Sequence, residues 1–234
     1  MEQVRLPRVK VCCIMDHDEA LRAIAAGADA LGLVSAMPSG PGPIPDERIA
    51  AIARRVPPAV ATFLLTSRQS VRGIVEQWQT VQTSTIQIVD TLNEGTYEEL
   101  RAALPGVKLV QVVHVTGPGS VEDAVRVARH VDAVLLDSGR PTAVVKELGG
   151  TGRQHDWAIS REIREAVTVP VFLAGGLHAG NVGEAISRVG PFGLDVCSGV
   201  RTNGKLDAKK LEAFMEEVRR PSSNQIVKQC FSIS

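Results

Sequence analysis

From Arg8 onwards the chain alternates between two kinds of hydrophobic pattern. Short runs rich in Val, Ile and Leu fall at 9–14, 29–34, 59–65, 85–89, 108–115, 132–136, 169–174 and 193–197. Following them in turn, at 17–26, 46–55, 69–79, 96–104, 120–130, 157–167, 180–189 and 207–219, apolar residues recur at helical spacing. A run that is apolar throughout suits a parallel strand covered on both faces, whereas a period of three to four suits a helix with one face on a core. The order predicts eight βα units. Helix starts carry supporting signals, such as Ser120 before Val121-Glu122-Asp123 and Pro45 before Asp46-Glu47.

Eight parallel strands can close into a barrel or lie in an open doubly wound sheet. No GxGxxG follows the first strand, and the repetition runs nearly to the C-terminus, so the reading is an α/β fold with a single (β/α)8 TIM barrel. Residues 1–219 are assigned to the barrel and 220–234 to a C-terminal tail. In that tail Ile226, Val227 and Phe231 are possible anchors, and a frayed end and a docking arm are both open.

Composition narrows the partners. The chain has 234 residues, enough to bury one sizeable core, and its 26 basic residues balance its 26 acidic ones. No charge excess points to nucleic acid or a membrane surface, so a small-molecule partner is expected. The cysteines are Cys12, Cys13, Cys197 and Cys230, without CxxC or Cys/His spacing, which suggests neither a disulfide framework nor zinc. With no signal-peptide pattern and no apolar run near the ~18 residues of a membrane span, a soluble protein of the reducing cytoplasm is expected.

In a barrel of this kind the chemistry sits at the C-terminal ends of the strands. After the seventh comes Leu173-Ala174-Gly175-Gly176-Leu177, and at the eighth Asp195-Val196-Cys197-Ser198-Gly199-Val200. Glycines let backbone N–H groups approach an anion closely, so these loops make a candidate phosphate cradle. The sixth strand ends Leu135-Leu136-Asp137-Ser138, where Asp137 could move a proton at the barrel mouth or merely cap a helix or bind a loop amide. At the first strand's end, alternation sends one of Cys12 and Cys13 into the mouth and the other towards the helices; a reactive thiol and an inert buried one are both open for Cys12. Bland readings attach to His114 as a core or loop residue, to Trp157 as packing of its helix, and to His155 and His178 as solvated loop residues.

Read in order, these strand ends resemble the phosphoribosylanthranilate isomerase family. The resemblance rests on Lys10-Val11-Cys12, Leu136-Asp137-Ser138, Gly149-Gly150-Thr151-Gly152 with Asp156-Trp157, and Leu173 to Leu177. It continues through Asn181-Val182, Asp195 to Gly199, Gly204-Lys205 and Asp207, and covers approximately 8–219. It implies the Amadori rearrangement of phosphoribosylanthranilate to the carboxyphenylamino-deoxyribulose phosphate in tryptophan biosynthesis, with no cofactor and no metal. By position, Asp137 would be the general acid that opens the ribose ring and Cys12 the general base that takes the C2′ proton. Gly175, Gly176, Ser198 and Gly199 would hold the phosphate, with Lys10, Arg140, Gly150, Thr151 and Asp195 about the rest of the substrate. The partner would be a phosphorylated sugar compound, and the protein a monomer or homodimer.

The front half departs from the family in three places. Cys13 stands where the family has glycine. The loop after strand two reads Met37-Pro38-Ser39-Gly40-Pro41 in place of Ser-Pro-Arg, and strand four ends Gln87-Ile88-Val89-Asp90 in place of Gln-Leu-His-Gly. No lysine or arginine lies between Arg22 and Arg48, so the anthranilate carboxylate lacks its usual local partner, and Arg140 is the first substitute. Two alternatives to the family reaction follow: a related isomerase of another phosphorylated sugar or aminosugar, and a non-catalytic barrel that binds a sugar phosphate.

Overall fold

The computed structural model describes residues 6–139 and 155–220. Its eight parallel strands close into a barrel in sequence order, β1 returning to pair with β8. They are β1 (Arg8–Val11), β2 (Ala30–Val34), β3 (Ala61–Thr66), β4 (Thr85–Ile88), β5 (Lys108–His114), β6 (Ala133–Asp137), β7 (Val171–Leu173) and β8 (Gly193–Val196). The helices are α1 (His17–Ala26), α2 (Asp46–Ala53), α3 (Val71–Val81), α4 (Tyr97–Ala103), α5 (Ser120–Ala128), α6 (Trp157–Ala166), α7 (Val182–Val189) and α8 (Ala208–Arg219). No helix among the described residues is long and apolar enough to cross a membrane. Of the expected tail only Arg220 is described.

All sixteen expected elements are present, with shifted ends. The first strand stops at Val11 instead of residue 14, because Cys13 takes φ 63, in the left-handed region where no ladder continues. Ser120 does not cap α5 from outside but is its first residue; its hydroxyl accepts from the Thr116 N–H and donates to the His114 carbonyl. Helix α1 is capped by Asp16, which accepts from the Glu19 N–H, and α4 by a reciprocal pair between Thr96 and Glu99.

Alternation along the strands makes two apolar layers. Val9, Val11, Leu31, Leu33, Leu64, Ile86, Ile88, Val134 and Leu136 face the helices, while Phe63, Leu65, Val110, Val112, Leu135 and Phe172 fill the barrel. Trp157 is buried at the start of α6 and packs as expected, with the Arg188 guanidinium 5.6 Å from its ring centroid. His155 is not a solvated loop residue. It is half-buried, its Nε2 lies 2.7 Å from the Ser160 hydroxyl, and burial lowers its pKa to about 4. His178 is exposed, as expected.

Candidate active site

The interior side of β1 places Lys10 and Cys12 two residues apart on one face, with Cys12 just beyond the strand end. Gly32 on the neighbouring β2 makes room for both: a Cβ there would sit 2.7 Å from Cys12 Sγ and 3.0 Å from Lys10 Nζ. Lys10 is fully buried and ion-paired to Asp195, Nζ to Oδ1 2.8 Å, and the two residues are register partners across β1 and β8. Burial alone would lower the Lys10 pKa, but Asp195 overcomes this and holds the ammonium charged. The pair is thus a fixed cation and anion under the mouth.

Cys12 and Asp137 both line the cavity above this pair, an open-mouthed space of about 700 Å³ at the strand ends. Their environments push them in opposite directions. A hydrogen bond from Cys13 and the nearby Lys10 charge lower the Cys12 pKa, against burial and Asp195. Burial raises that of Asp137, reinforced by Asp195 and opposed by the Ser138 N–H, His114 and Lys10. The Ser138 N–H donates to Asp137 Oδ1 at 2.7 Å and fixes the carboxyl at the end of β6. Asp137 thus binds a loop amide and also lines the cavity. The Cys13 pKa is raised well above normal by its hydrogen bonds to Cys12 and Cys197 and by burial.

Gly175, Gly176 and Ser198 line the same cavity. Gly175 and Gly176 have φ 83 and 65, which turn the chain sharply after β7. The Asn181 amide secures this loop by donating to the Gly176 carbonyl, while its Oδ1 accepts from the His178 N–H. Gly199 lies behind it in the 3-10 turn Ser198–Val200, where a Cβ would overlap the Leu177 carbonyl oxygen. The loops after β7 and β8 therefore interlock through a glycine contact. Arg140, Gly150 and Thr151 lie outside the described residues.

An apolar stretch of the described wall is formed by Val34, Met37, Pro41, Leu65 and Val89, with Ser39 and Gln87 as its polar neighbours. Asp90 is not among the lining residues; its Oδ1 accepts from the Thr91 N–H, and Val89 and Gln87 face the cavity instead. Gln87 is buried and, among the described residues, its Oε1 has no hydrogen-bond partner. His114 is half-buried beside Asp137, its register partner on β6, with Nε2 3.0 Å from the Val89 carbonyl.

Sequence reasoning missed one group altogether. Arg201, buried after the 3-10 turn, pairs with Glu19 of α1 at 2.9 Å and donates to the carbonyls of Cys12 and Cys13. Glu19 also accepts from the N–H groups of Met15 and Leu206. Two buried charges thereby clamp the chain around Cys12. The signals available were faint: an arginine directly after Ser198-Gly199-Val200 and an acid in a first helical turn.

The chain is similar to known proteins over most of its length. The family model described as N-(5'phosphoribosyl)anthranilate (PRA) isomerase matches residues 9–217. The chain is 37% identical to the N-(5'-phosphoribosyl)anthranilate isomerase of Methanothrix thermoacetophila over 214 residues, 92% of this chain and 99% of that one. It is similar to the solved phosphoribosyl anthranilate isomerase of Thermococcus kodakaraensis, with TM-score 0.76, 29% identity and coverage of 92% and 100%. A further solved isomerase, bound to reduced 1-(o-carboxyphenylamino)-1-deoxyribulose 5-phosphate, matches with TM-score 0.74 at 27% identity, covering 91% of this chain and 98% of that one. The chain belongs to the N-(5'-phosphoribosyl)anthranilate isomerase family.

Proposed function

We propose that the chain isomerises N-(5-phosphoribosyl)anthranilate to the carboxyphenylamino-deoxyribulose 5-phosphate of tryptophan biosynthesis, with Asp137 as general acid and Cys12 as general base. The observation that carries the assignment is the divergence of two groups facing one cavity: a carboxyl made harder to ionise and a thiol made easier. Each is moved towards the protonation state its step requires.

Asp137 protonates the ribose ring oxygen, the C1′–O bond breaks, and the arylamine nitrogen lone pair forms a protonated Schiff base. The Cys12 thiolate then removes the C2′ proton to give the enaminol. The ketone forms as a proton returns at C1′ and the 2′-hydroxyl proton is released, so both groups recover their starting states. Gly175, Gly176 and Ser198 supply a backbone-rich cradle for the phosphate, with Gly199 holding the loops together. Lys10 and Asp195 set the field under the reacting carbons. Gly150, Thr151 and Arg140 are assigned to the substrate on the family resemblance.

We read the protein as a monomer or homodimer; a related solved structure describes monomers made from the dimeric isomerase of Thermotoga maritima. The direct test is to mix purified protein with freshly generated phosphoribosylanthranilate and follow loss of its fluorescence. Catalysed loss is expected, and none above the uncatalysed rate would refute the reaction.

A further inference from the structure

Three thiols meet at the barrel mouth. Cys13 Sγ lies 2.6 Å from Cys197 Sγ, although the residues are 184 positions apart, and Cys13 also hydrogen-bonds to Cys12. The bonded separation of two sulfurs is roughly 2.05 Å, so little movement divides this pair from a covalent link. Both residues are free cysteines in this state. The backbone of Cys13 takes the left-handed conformation at φ 63, and its Sγ also meets the Pro41 carbonyl at 3.5 Å. Cys197 is half-buried and lines the cavity, so a small molecule that enters can reach its sulfur. In the proposed reaction neither Cys13 nor Cys197 transfers a proton.

We propose that Cys13 and Cys197 form a reversible disulfide across the barrel mouth when the protein meets a low-molecular-weight disulfide. The Cys197 thiolate attacks one sulfur of the reagent, the reagent's S–S bond breaks, and one thiol leaves. Cys13 then attacks the Cys197 sulfur of the mixed disulfide and releases the second thiol. Two protein thiols are oxidised, the reagent is reduced to two thiols, and the two protons end on them. The link would tie the end of β1 to the start of the phosphate-side turn and remove the thiol that hydrogen-bonds to Cys12. By closing a long loop it should also raise the melting temperature of the oxidised protein.

The test is to incubate the full chain with oxidised glutathione, alkylate the remaining thiols, digest with trypsin without reductant and weigh the peptides. Peptide 11–22 joined to peptide 189–201 is expected in the wild type and in Cys12→Ser, and it should vanish in Cys13→Gly, in Cys197→Ser and after dithiothreitol. A wild type that carries only a glutathione adduct, remains unlinked, or keeps the link in Cys13→Gly would overturn the proposal. For the activity consequence the inference rests on the isomerase reading: oxidation should abolish turnover and dithiothreitol restore it. A protein cross-linked as described yet inactive in both states would refute the isomerase reading and leave the disulfide standing.

Discussion

Lys10 and Asp195 face each other across the seam where the barrel closes, 2.8 Å apart, with the lysine wholly buried. Lys10 favours ionisation of both Cys12 and Asp137. Its replacement by methionine should therefore raise both pKa values and move both limbs of the kcat/KM profile to higher pH. It also leaves Asp195 unpaired, which should cost about 3–5 kcal/mol of stability. Denaturant midpoints and a pH–rate series check the two effects separately; an unmoved profile would show that the ion pair is only structural.

Arg201 and Glu19 form the second buried pair, and their task is to hold the Cys12 and Cys13 carbonyls. The folded-state pKa of Glu19 lies below its ordinary value, with Arg201 and the Leu206 N–H outweighing burial. Its contribution is therefore fully present above the ordinary carboxylate range and is lost as pH falls through the depressed value. Glu19→Gln should lower stability at neutral pH and flatten its fall in acid. Arg201→Met should reduce kcat more than it changes KM, because it disturbs the base and not the phosphate loops. Thermal melts across pH and steady-state kinetics are the measurements.

Much of this site could be read from the chain because it lies in short motifs at strand ends. Cys12, Asp137, Gly175, Gly176 and Ser198 stand where apolar runs stop, and they converge on one cavity. Contacts made by barrel closure were not legible. Glu19 and Arg201 are 182 positions apart and Cys13 and Cys197 184, and no local periodicity links such partners. The apolar pattern also overruns the first strand, since Cys13 and Ile14 continue the apolar run although the backbone has already turned out of the ladder. The fate of Asp90 depended on one step of alternation, which puts Val89 in the cavity.

The phosphate cradle should respond to bulk. Gly176 has φ 65 and lines the cavity, so Gly176→Val combines backbone strain with obstruction. Phosphorylated ligands should bind at least tenfold more weakly, and inorganic phosphate should compete with substrate in the unaltered protein. Unchanged affinity, measured by titration calorimetry, would place the phosphate elsewhere.

The apolar wall of Val34, Met37, Pro41, Leu65 and Val89 offers no cation to a carboxylate. A charge-assisted hydrogen bond is worth roughly 1.5–3 kcal/mol, so a replacement partner should be visible as about a 10–150-fold effect. Arg140, two residues after Ser138, is the residue to test. Arg140→Ala should lower kcat/KM for phosphoribosylanthranilate by that factor and leave a phosphoribosyl-arylamine without the carboxylate nearly unaffected. Equal losses on both compounds would remove Arg140 from carboxylate recognition.

The division of labour between the thiols and Asp137 is tested most directly by fluorescence turnover of phosphoribosylanthranilate in Cys12→Ala, Asp137→Asn and Cys13→Gly, each checked for folding. Loss of a positioned acid or base should reduce kcat by about 10²–10⁴ in the first two. Cys13→Gly should retain turnover, with its low-pH limb displaced upwards because Cys12 loses the hydrogen bond that favours its thiolate. Turnover that survives Cys12→Ala and fails in Cys13→Gly would contradict the assignment of the base.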